Sequence, residues 1–92
     1  MALRRYVIER DILGIGASSE DGLSQAAATS NAALASLAPR VQWEHSYVVG
    51  DKTFCIYLAE GEDVIREHAT ISGFPASIIY EVNATIDPTT ES

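Results

Sequence analysis

The chain is poor in the residues that several common functions require. Its one cysteine, Cys55, cannot form an internal disulfide, so nothing here asks for an oxidising compartment. Only six of its 92 residues are Lys or Arg against thirteen Asp or Glu, a formal net charge of −7. Three of the six (Arg4, Arg5 and Arg10) fall on the first strand, leaving no clustered cations to neutralise phosphates, which argues against a nucleic-acid partner. No apolar run approaches the roughly 20 residues of a membrane span. No signal-like apolar block follows Met1-Ala-Leu-Arg-Arg. The expectation is a cytoplasmic protein with no membrane and no nucleic-acid partner.

What is present is the composition of a small folded domain, 47% hydrophobic. A domain of this length buries only about two-thirds of its unfolded surface, a thin margin that association with a second copy would relieve. We assign residues 1–88 to one domain and 89–92 to a polar tail. Leu3 to Arg10 is rich in β-formers and reads as a strand. Asp11 to Ser19 carries Gly14, Gly16 and two serines, a loop. Gly14-Ile15-Gly16 lacks the third glycine and the parallel unit of a dinucleotide loop. From Glu20 to Ala38, Leu23, Ala27, Ser30, Leu34 and Leu37 recur at helical spacing. Ser18 or Ser19 can cap that helix, and Pro39 stops it. Val41 to Val49 and Lys52 to Leu58 read as a hairpin about Gly50-Asp51, a pair suited to a II′ turn. Glu62 to Ser72 is a second helix ended by Gly73 and Pro75, and Ser77 to Asp87 a last strand.

The order β-α-β-β-α-β has a preferred solution: the α+β, ferredoxin-like fold, with two helices on one face of an antiparallel sheet ordered 4-1-3-2. With a two-residue turn, Val49 faces Lys52, and Tyr47–Phe54, His45–Ile56 and Trp43–Leu58 follow. Opposed residues share a face. The more apolar set, Trp43, His45, Tyr47, Phe54, Ile56 and Leu58, is expected under the helices. Glu44, Ser46, Val48, Thr53, Cys55 and Tyr57 are expected on the other side. There Val48, Cys55 and Tyr57, with Tyr6 and Ile8, would form an apolar patch that closes a homodimer through the open sheet face.

Chemistry-bearing residues concentrate in Trp43 to Tyr57, which holds the only Trp, the only Cys and one of the two histidines. On the second helix, Val64, Ile65, His68, Ile71 and Ser72 form the inward stripe, so His68 points towards the layer expected to hold His45. A Cys55 nucleophile with His45 as base is disfavoured, because pairing sets them on opposite faces. Trp43, Tyr47, Cys55 and Tyr57 are the candidate lining of any pocket. No catalytic constellation emerges.

Tyr6-Val7-Ile8-Glu9-Arg10, Trp43-Glu44-His45-Ser46-Tyr47, Thr53-Phe54-Cys55-Ile56-Tyr57, Ile65-Arg66-Glu67-His68-Ala69 and Gly73-Phe74-Pro75 occur in that order. This string resembles the small nickel-binding, ferredoxin-like proteins, over nearly the whole chain. The resemblance implies a dimer of ferredoxin-like subunits and, in at least one branch, bound nickel. Where that family often carries a second histidine before His45, this chain has Glu44.

Two readings follow. One is a protein binding nickel or another divalent metal through His45, His68 and a carboxylate, Glu9, since mixed nitrogen and oxygen donors suit such ions. The other is a small-molecule-binding protein or enzyme that uses a helix–sheet pocket, with His45 and His68 as acid and base.

Overall fold

The computed structural model describes residues 2–91; Met1 and Ser92, the outer ends of the expected domain and tail, lie outside the described residues. The elements are β1 (Arg4–Asp11), α1 (Glu20–Ala35), β2 (Val41–Val49), β3 (Lys52–Ala59), α2 (Glu62–Ser72) and β4 (Ile78–Glu81). The sheet runs β2-β3-β1-β4 and every pairing is antiparallel, which is the ferredoxin-like order read from the sequence. No helix among the described residues is long and apolar enough to cross a membrane.

Local chemistry sets the ends of these elements. The Ser19 side chain accepts from the Gly22 N–H, capping α1 above the acidic Glu20 and Asp21. At the other end the helix tightens before Pro39: the Ser36 hydroxyl and the Ser36 N–H both donate to the Ala33 carbonyl, and the N–H groups of Leu37 and Ala38 both donate to the Leu34 carbonyl. Gly73, with φ 81°, takes the left-handed conformation that closes α2 and donates to the Ala69 carbonyl. β4 is much shorter than the eleven-residue strand expected over Ser77 to Asp87. Glu81 already pairs with Tyr6, so after Val82 donates to Arg5 the last strand runs off the beginning of β1.

Except at Trp43, which lies under the helices as expected, the faces of the sheet are the reverse of those expected. Tyr6, Ile8 and Arg10 of β1 and Thr53, Cys55, Tyr57 and Ala59 of β3 are buried, and both helices pack on that side. The core there includes Leu37 and Val41 with Val64 and Ile65 of α2. His45, Tyr47, Phe54, Ile56 and Leu58 face the open side with Val7 and Tyr80. Apolar content does not decide the assignment, because both faces are apolar.

A bulge in β2 completes the correction. Val49–Lys52, Tyr47–Phe54 and His45–Ile56 pair as expected, but the register shifts between Trp43 and His45, and Trp43 meets Tyr57 rather than Leu58. The extra residue, Glu44, turns to Arg5 and binds its Nε at 2.7 Å. Trp43 therefore lies on the helix side with Ser46, to whose hydroxyl its indole N–H donates at 2.9 Å. The patch of Tyr6, Ile8, Val48, Cys55 and Tyr57 assigned to a dimer interface belongs to the helix side instead.

Candidate functional site

The helix side of the sheet gathers polar groups around Arg10. It follows Tyr6 and Ile8 in the inward phase of β1 and keeps only 2% of its surface exposed. Its Nη1 donates to the carbonyls of Phe74 (3.3 Å) and Pro75 (2.9 Å), in the segment after Gly73. Its Nη2 makes two long contacts, 3.5 Å each, to the Tyr57 hydroxyl and to His68 Nδ1. The Tyr57 ring also lies beneath the guanidinium, its centroid 5.9 Å from Cζ.

His68 is 1% exposed, projecting from the buried stripe of α2 that also carries Val64 and Ile65. Ile71, placed on the same stripe by its spacing, is 53% exposed. Arginine has no acceptor, so His68 Nδ1 must accept from Arg10; the ring hydrogen then sits on Nε2 and donates to Ser30 Oγ at 3.1 Å. Burial, and secondarily the Arg10 charge, push the His68 pKa below its ordinary value, opposed by the hydrogen bond that the ring donates to Ser30. Burial likewise raises the Tyr57 pKa.

Beside this cluster, between α1 and the sheet, lies a cavity of about 180 Å³. Trp43, Cys55 and Tyr57 line it with Arg10, and Ala26, Ala27 and Ser30 form its α1 wall. The loop after β1 closes one end through Ile12 and Ile15. That loop is fixed to the hairpin turn: Ile12 donates to the Asp51 carbonyl, Gly14 to the Asp51 side chain and Gly16 to the Gly50 carbonyl. Tyr47, also a lining candidate, is on the opposite side of the sheet.

The open face holds the other two candidate ligands. His45 is exposed, in edge-to-face contact with Tyr47 at 5.1 Å. Glu9 binds Lys52 Nζ at 2.8 Å, and Asp11 binds the same ammonium. Those two carboxylates, Asp11 foremost, raise the Lys52 pKa well above its usual range, and Lys52 lowers that of Asp11. Glu9 pairs with Phe54 and Tyr47 across the sheet, whereas His45 pairs with Ile56 and Val7. Glu9 and His45 are thus two strands apart, about 10 Å at the usual spacing. His68 lies on the far side of the sheet from both. The proposed convergence of His45, His68 and Glu9 therefore does not occur within one chain, because the inverted faces separate the histidines. Among the described residues, no three His, Cys, Asp or Glu side chains are grouped so as to hold a metal ion.

Sequence reasoning missed Arg10 and Ser30. Arg10 counts there only as a cation of the first strand, and Ser30 only as a member of the first helix's stripe. The available signal was phase: Arg10 alternates with Tyr6 and Ile8.

The family model described as "Nickel responsive protein SCO4226-like" matches residues 6–82. The crystal structure of SCO4226 from Streptomyces coelicolor A3(2) superposes with a TM-score of 0.74 at 19% identity, covering 89% of this chain and 99% of that one. At that identity the likeness shows the shared fold. No curated protein matches the sequence.

Proposed function

The chain belongs to the SCO4226-like nickel responsive family, and on that premise we propose that it is a small nickel-binding protein acting as a homodimer through its open sheet face. The observation that carries this reading is the state of His45. Its ring is exposed and makes no hydrogen bond among the described residues, so a nitrogen is available to a borderline divalent ion. It stands on the same face as Val7, Phe54, Ile56 and Leu58, an apolar surface on the side of the sheet opposite the two helices.

One imidazole does not make a site. The remaining donors would come from a second copy and from water, which couples metal uptake to association. Sheets packed face to face would bury the apolar residues and bring a second His45-bearing surface opposite the first. Glu9 can join only by exchanging Lys52 for the ion. His68 serves the core, with both ring nitrogens already engaged. The cytoplasm suits this reading, since Cys55 would remain a free thiol there.

Calorimetric titration of untagged protein with nickel, with light scattering on the same samples, tests the proposal. Uptake by a species of dimer mass is expected, lost in His45→Ala and kept in His68→Gln. Unchanged uptake in His45→Ala, or a monomer mass with nickel bound, would refute it.

A further inference from the structure

Among the described residues, Arg10 is the one Lys or Arg that forms no ion pair with a carboxylate. Arg4, Arg5, Arg40, Lys52 and Arg66 each form an ion pair with Asp or Glu. Arg10, the only buried cation, has among the described residues just neutral partners: two carbonyls, a phenol and an imidazole. In a chain with thirteen Asp or Glu, this is the position where a partner anion is missing. Taking a cation out of water without a counter-charge is costly, and an anion arriving at that point offsets the cost.

The guanidinium is unevenly used. Nη1 is anchored by Phe74 and Pro75, whereas among the described residues Nη2 makes only the two 3.5 Å contacts and Nε makes no hydrogen bond. No fully enclosed side-chain nitrogen among the described residues lacks a partner, so Nε retains contact with solvent. Nε and Nη2 form the side-on fork that takes a carboxylate through two parallel bonds. Arg10 and Tyr57 both line the 180 Å³ cavity, whose other walls are mostly apolar. An apolar cavity of about 150 Å³ accommodates benzene.

We propose that this cavity binds a small monocarboxylic acid with an apolar body, of one-ring or short-chain size, its carboxylate held by Arg10. The body lies against Trp43, Ala26 and Ala27. A phosphate is the poorer fit, because the single cation, Arg10, leaves its further charge uncompensated between mostly apolar walls. The site is independent of the open face and of any metal there.

Trp43, the only tryptophan, lines the cavity and reports occupancy by fluorescence. Titrations with benzoate and hexanoate are compared with benzamide, hexanamide and inorganic phosphate. Saturable binding of one acid per chain is expected, at least about tenfold tighter than the matching amide. Arg10→Met should erase the preference for acid over amide. Ala27→Phe, which fills the cavity from α1, should abolish binding while circular dichroism and thermal unfolding stay native-like. If Arg10→Met does not fold, the acid–amide comparison and Ala27→Phe decide. No saturation by either acid at millimolar concentration, equal binding of amide or phosphate, or binding untouched by Ala27→Phe would each overturn the assignment.

Discussion

Protonating His68 should destabilise the folded chain over a defined range of pH. Its Nδ1 lone pair accepts from Arg10 and its Nε2 hydrogen is given to Ser30, so an added proton must go on Nδ1, facing a guanidinium. Burial already disfavours the charged ring, and the folded pKa lies below the ordinary 6.5. The sign follows from linkage: below pH 6.5 the unfolded chain takes up a proton that the folded chain refuses, so stability falls as pH falls. The limiting slope is about 1.4 kcal/mol per pH unit from this one group, and the loss stops once pH drops below the folded pKa. Against a typical total of about 5–15 kcal/mol for a domain, one unit of pH is readily measured. Denaturant midpoints between pH 7.5 and 5, at fixed protein concentration, give the slope as the difference between wild type and His68→Gln. Asp11 and Glu44, whose pKa values are lowered by Lys52 and Arg5, lose their pairing only in more acidic solution, outside this range. A wild-type midpoint that is flat over the range, or one matched by His68→Gln, would refute the buried neutral imidazole.

Other outcomes follow from the same geometry. His68→Ala removes a fully packed ring and leaves Ser30 and Arg10 short of partners, so a loss of about 2–4 kcal/mol is expected in urea unfolding. Gly16→Ala would press a methyl group against the Gly50 carbonyl that its own N–H bonds, and should cost about 1–3 kcal/mol by the same assay. Ile56→Glu, on the open face, should leave the fold intact and shift a dimer to monomer mass in light scattering. Glu44→Ala releases Arg5 from the bulge, but the pair is exposed, so the thermal unfolding midpoint should be nearly unchanged.

Much of the architecture was legible because it rests on local rules. Ser19 before an acidic turn, Gly73 after a helix and Gly50 at a two-residue turn each mark an end that the backbone then respects. The candidate site was legible only in fragments. The pieces bearing Arg10, Trp43, Tyr57, His68 and Phe74 are recognisable one by one, but that they meet at Arg10 depends on contacts between segments far apart in the chain.

The sequence by itself determined the element order, the antiparallel 4-1-3-2 sheet and most of the hairpin register, because period, caps and turn chemistry are properties of short stretches. It also placed His68 inward, since helical phase is counted along one element. Which sheet face meets the helices was decided only by the tertiary structure. Phe54-Ile56-Leu58 and Cys55-Tyr57-Ala59 are both apolar, and the choice depends on how closely α1 and α2 approach. At the bulge, Glu44 pairs with Arg5, 39 residues away in the chain. A period-2 pattern reverses completely with one such choice. That choice sends His45 to the open face and encloses Arg10 beside a cavity.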